Sequence, residues 1–67
     1  MDDQHETVSL TYHMHTAKGA LFSDDGVKKN AVWLPLSQIK VIPSDPVPGR
    51  VCEVTAPEWL LKKNGLI

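Results

Sequence analysis

The chain has 67 residues, of which 42% are hydrophobic and 22% charged, and its formal net charge is −1. That length fits one domain with a core of roughly ten to fifteen side chains, and it leaves little room for a deep substrate pocket of about 300 Å³ or more. The composition excludes a disordered chain, and no apolar run approaches the roughly 18 residues of a membrane span.

Residues 1–6 are polar and acidic, with Asp2, Asp3 and Glu6. They read as a disordered, solvated tail ahead of a single β-rich domain over residues 7–67. The tail lacks the basic-then-apolar order of a secretory signal. Thr7 to His15 then alternates. Val8, Leu10, Tyr12 and Met14 point one way, and Ser9, Thr11, His13 and His15 the other. Period two with β-branched and aromatic residues predicts a half-buried strand.

Ala17 to Ser23 predicts a second strand, and Ser23-Asp24-Asp25-Gly26 a turn. Lys28, Lys29 and Asn30 extend that loop, and a third strand follows at Ala31 to Leu34, closing a hairpin. Pro35 ends strand pairing because it has no N–H to donate. Leu36 to Ile39 predicts a tight turn or one turn of 3₁₀ helix, capped by the Ser37 hydroxyl.

Lys40 to Pro43 predicts a fourth strand, with Ile39 and Val41 on one face. Two prolines and a glycine in Ser44 to Gly49 make a loop. Arg50 to Thr55 predicts the last strand. Thr55 and Glu58 have the spacing of a capping box, and Pro57 suits a first helical turn. A helix of about two turns follows, with Lys62 and Lys63 at its end and Gly65 just beyond. So short a helix needs Trp59, Leu60 or Leu61 docked on the sheet, with Leu66 and Ile67 available too.

These elements predict a mostly β fold. It is either a small SH3-like barrel or a twisted antiparallel sheet of four to five strands, with one short C-terminal helix. The Pro35–Ile39 break would form a corner where the chain changes sheets.

Few residues carry a chemical signal. His13 and His15, on one strand face about 7 Å apart, could share a metal with His5 or Cys52, but four closely spaced ligands are absent. No metal or cofactor is expected. Cys52 lies among valines and reads as a small buried hydrophobe. As the sole cysteine it forms no intrachain disulfide, which fits a reducing cytoplasm. Ser37 lacks a nucleophile elbow. Asp24 and Asp25 read as a solvated turn, and Gly26 and Gly49 stand alone.

Trp33 is the residue that asks for an explanation. If Val32 and Leu34 face the core, Trp33 faces out. Its cover would then be Trp59 or Pro57, a second copy of the chain, or a partner. With Tyr12, and with Lys28, Lys29, Lys40 and Arg50 at the rim, it could instead form a stacking platform for single-stranded nucleic acid. From Thr7 onward seven basic residues face five acidic ones, a balance too even for a basic footprint.

Val32-Trp33-Leu34-Pro35-Leu36-Ser37-Gln38-Ile39 resembles a W-[LI]-P-x-S-Q-I segment. Val54 through Leu66 resembles a V-x-x-P-E-W-L-x-x-x-x-G-L ending. Together they are similar to a group of short uncharacterised bacteriophage and prophage proteins. Thr16 to Phe22 is also similar to their T-x-K-A-x-L-[FV] segment, with Gly19 as one inserted residue. The resemblance implies an origin in a bacterial host cell and transfers no activity or functional residue.

The functional expectation is therefore a non-enzymatic interaction protein that binds a protein partner or itself through an aromatic sheet face. The alternative is the nucleic-acid platform. A metal hydrolase built on His13, His15 and Cys52 ranks last.

Overall fold

A computed structural model describes residues 4–67. Five strands form one antiparallel sheet: β1 (His5–His15), β2 (Gly19–Ser23), β3 (Val32–Pro35), β4 (Lys40–Ile42) and β5 (Val51–Pro57), followed by α1 (Glu58–Lys63). Single 3₁₀ turns at Lys28–Asn30 and Leu36–Gln38 flank β3. The mostly β fold with a short C-terminal helix is the architecture the alternation predicts.

The strand order is β3-β2-β1-β5-β4. Thus β3 and β4 are the two edges, yet only Leu36 to Ile39 joins them. In a flat sheet these edges would lie about 19 Å apart, four spacings of about 4.8 Å. Five steps of fully extended chain span about 17 Å, and a 3₁₀ turn spans far less. The connection therefore forces the sheet to curl, and the expected corner at Pro35–Ile39 is where the chain passes from one edge to the other.

The concave face holds the core. Leu10 opposes Cys52, Val8 opposes Val54, and Tyr12 opposes Phe22. Ala20, Leu34, Ala56, Leu60 and Leu61 complete it, with Val32, Leu36, Ile39, Val41 and Leu66 packed at its margin. Eleven apolar side chains are buried among the described residues, within the expected range.

Several boundaries differ from expectation. Residues 1–3 of the expected tail lie outside the described residues. His5 and Glu6 are strand, paired with Pro57 and Ala56, because β5 runs two residues past Thr55. The second strand starts at Gly19 instead of Ala17. Pro35 is the last residue of β3, tolerated because β3 is an edge. The Leu36–Gln38 turn is closed by backbone, from Ile39 N–H to the Leu36 carbonyl at 3.5 Å, without the Ser37 cap.

The capping box does not form. Thr55 remains in β5, where its Oγ1 lies 2.7 Å from that of Thr7, and α1 begins after Pro57 with no side-chain cap. The helix end follows the expected chemistry. Gly65 adopts φ +71°, Leu66 N–H donates to Leu61 C=O at 2.8 Å, and Gly65 N–H donates to Lys62 C=O at 3.1 Å. This 6→1, 5→2 pair is a Schellman motif. It turns Leu66 back onto the core while Ile67 stays exposed.

A bulge breaks β1. Tyr12 pairs with Phe22, but Met14 pairs with Leu21 and His15 with Ala20. The extra residue reverses the alternation beyond it. Met14, expected to point inward, lies on the convex face, and His15 is carried to the concave side.

Candidate functional site

On the convex face, lateral pairing puts Trp33, Leu21 and Met14 in one row across β3, β2 and β1. Leu21 is buried at its centre, while Trp33 is 50% exposed. The cover expected from Trp59 or Pro57 is absent, because α1 docks through Leu60 and Leu61 on the concave face. Trp59 itself is exposed and does not dock. Trp33 leans over Gly19 instead: a Cβ there would stand 3.6 Å from the indole Cε3.

The structure does not assemble the expected stacking platform. Tyr12 is buried on the concave face with its ring centroid 5.9 Å from that of Phe22, opposite to Trp33. Lys28 and Lys29 sit in the β2–β3 loop at the Val32 end of β3, Lys40 opens β4 beyond the Leu36–Gln38 turn that leaves the Pro35 end of β3, and Arg50 precedes β5. The four cations thus come from three separate segments. Asp24 and Asp25 share the β2–β3 loop, so the rim carries both signs.

Three residues there resemble catalytic machinery. His13 Nε2 lies 2.7 Å from Ser23 Oγ, the reach of a nucleophile and its base. Asp25 follows in the adjoining loop. Its main stabilisers are Val27 N–H and Asn30 Nδ2, each donating at 2.9 Å, which hold the carboxyl below its usual range. But Ser23 is 1% exposed, so no substrate carbonyl can approach its hydroxyl. The contact satisfies a buried O–H.

The same bulge separates the two histidines read as a metal pair. His13 stays with Ser23 on the convex side, and His15 Nδ1 lies 2.5 Å from the Tyr12 hydroxyl on the other. No group of three or more potential metal ligands occurs among the described residues. Cys52 is buried, and burial pushes its thiol pKa up, which keeps it protonated and unreactive.

A cleft of about 370 Å³ opens at the His15 end of the concave face, larger than the chain's length suggests. Tyr12, Ala20, Phe22, Leu36, Val41 and Pro46 give it apolar walls. His15, Ser44 and Asp45 supply its polar groups. It exists because the curl brings the Leu36 turn and β4 over β2. Strict alternation puts His15 on the other face, and the pattern gives no sign of the bulge that moves it. Among the described residues no helix is long and apolar enough to cross a membrane.

Compared with known protein families, curated proteins and solved structures, the chain matches none.

Proposed function

We propose that this chain is a non-enzymatic interaction module whose convex face, centred on Trp33, binds another protein surface, with a second copy of the chain as the favoured occupant. The observation that carries this reading is the Trp33–Leu21–Met14 row, which keeps a half-exposed indole on the face away from the core and helix. Tryptophan is among the residue types enriched at the energetic centres of protein interfaces. A second copy is favoured because the adjoining loop carries Asp24 and Asp25 together with Lys28 and Lys29. Such a rim is complementary to itself across a two-fold axis, and a net charge of −1 offers little repulsion. The sealed Ser23 hydroxyl and the protonated, buried Cys52 support a non-enzymatic role.

A phage or prophage origin and a cytoplasmic location belong to the same proposal. The first rests on the Trp-Leu-Pro and Pro-Glu-Trp-Leu segments, the second on the free thiol of Cys52.

The test is light scattering across concentration on the Trp59→Phe protein, with Trp33 fluorescence read in the same samples. A dimer with blue-shifted emission, dissociated by Trp33→Glu while circular dichroism stays unchanged, is the expected result. A monomer at all concentrations removes the second copy as occupant and leaves a different protein partner. Quenching of Trp33 by an oligonucleotide, reversed by salt, would replace the reading with nucleic-acid binding.

A further inference from the structure

We propose that the concave cleft is a small-molecule site that takes an uncharged aromatic or heteroaromatic ring bearing a carbonyl-type hydrogen-bond acceptor. The site is independent of the Trp33 face, which lies on the other side of the sheet.

The β1 bulge sets the position of His15. Without it, His15 would sit on the convex face. With it, the imidazole lines a hollow of about 370 Å³, within the size range of small-ligand sites. Bulges that re-aim one side chain into a cavity are common beside functional sites. The Tyr12 hydroxyl fixes the re-aimed ring through Nδ1. A phenol O–H is a better donor than a neutral imidazole N–H, so Tyr12 donates and Nδ1 accepts. The ring proton then resides on Nε2, which leaves His15 with one free donor. Tyr12 spends its hydrogen on this bond and offers none to a ligand.

The walls select the rest of the molecule. Tyr12 has aromatic neighbours on two sides, with centroids 5.9 Å from Phe22 and 6.0 Å from His15. A flat ring can join that tilted cluster, with Leu36 and Val41 on its other side. A charge in such walls would lose its hydration without a buried counter-charge. A carboxylate would also meet Asp45, and an ammonium group, with only Ser44 and Asp45 as side-chain acceptors, would face the His15 N–H donor. An uncharged acceptor facing His15 Nε2 is the head group that fits.

The experiment titrates the whole chain with benzamide, benzoate and benzylammonium, followed by backbone amide and imidazole nitrogen NMR. Expected are saturable shifts from benzamide at Ala20, Phe22, Val41 and His15 Nε2. Benzoate and benzylammonium should bind at least about fivefold more weakly. His15→Phe keeps a ring but removes the donor, and should weaken benzamide by about fivefold to tenfold with unchanged shift dispersion. If that variant unfolds, Val41→Phe, which narrows the cleft from its margin, serves as the second probe and should abolish the shifts. No cleft shift from benzamide up to about 10 mM, equal or tighter binding of either charged probe, or shifts confined to Trp33 and Met14 would each overturn the proposal.

Discussion

Trp33 lies against Gly19 on the neighbouring strand, where a Cβ would be in ordinary contact with the indole and a branched side chain would crowd it. A Cβ at Gly19 would come within 3.6 Å of the ring and 3.2 Å of the Leu34 carbonyl oxygen. The glycine is therefore part of the Trp33 surface. Gly19→Val should cost about 1–3 kcal/mol, the usual range for overpacking, and lift the ring into water. In a Trp59→Phe background, urea melts should show the first effect and increased acrylamide quenching the second. Unchanged quenching would mean that the indole does not depend on this seat.

The His13–Ser23 contact is asymmetric, and so are its mutants. Ser23→Ala leaves a half-buried imidazole that water can still reach, for a loss of about 1 kcal/mol. His13→Ala strands a buried hydroxyl and should cost more, about 1–3 kcal/mol. Adding Ser23→Ala to His13→Ala should then recover part of the loss. A double-mutant cycle by urea denaturation checks this, and equal single losses would contradict it.

Leu61 joins the helix to the core and, through the Leu66 N–H on its carbonyl, to the chain beyond. Leu61→Ala should cost about 2–5 kcal/mol, most of the stability of a domain this small. Thermal circular dichroism should show loss of the sheet together with the helix. Independent loss of the helix alone would show that α1 is not part of the cooperative unit.

Two groups give stability opposite pH dependences. Cys52 has a raised folded pKa, caused by burial. Its contribution is complete below the ordinary thiol value of about 8.5 and is lost as pH rises through the folded value. Cys52→Ala should flatten the alkaline fall by at most about 1.4 kcal/mol per pH unit. Asp25 has a lowered folded pKa, caused first by the Val27 N–H bond and then by Asn30. Its contribution is present above about pH 4 and is lost as pH falls through the lowered value. The gap between wild type and Asp25→Ala should accordingly narrow below pH 4.

The strands, the hairpin loop, the 3₁₀ corner and the glycine that ends α1 were legible in the sequence because each has a local cause: period-two patterning, turn residues, a missing N–H or a left-handed φ. The exposure of Trp33 followed from the inward Val32 and Leu34. The bulge did not, since Met14 suits either face of a strand and nothing local marks His13 as the extra residue. The cleft was hidden for the same reason. It depends on where β4 and the Leu36 turn fall after the sheet curls, which is a relation between distant segments. The capping box misled because Thr55 had a competing partner, Thr7, 48 positions away.

That separation bears on how the molecule comes to be folded. β1 is the central strand, but one of its neighbours is the last strand in the sequence, with Thr7 opposite Thr55 and Thr11 opposite Val51. The β1–β2–β3 meander can form early from local hairpins, yet its exposed flank has no partner until a loop of some forty residues closes. Closure of that long loop should be the slow event, and β topologies dominated by distant pairings fold in about milliseconds to seconds. Substitutions in the Ser23–Gly26 turn should then change the folding rate only as far as the hairpin precedes closure, while those in α1 should speed unfolding.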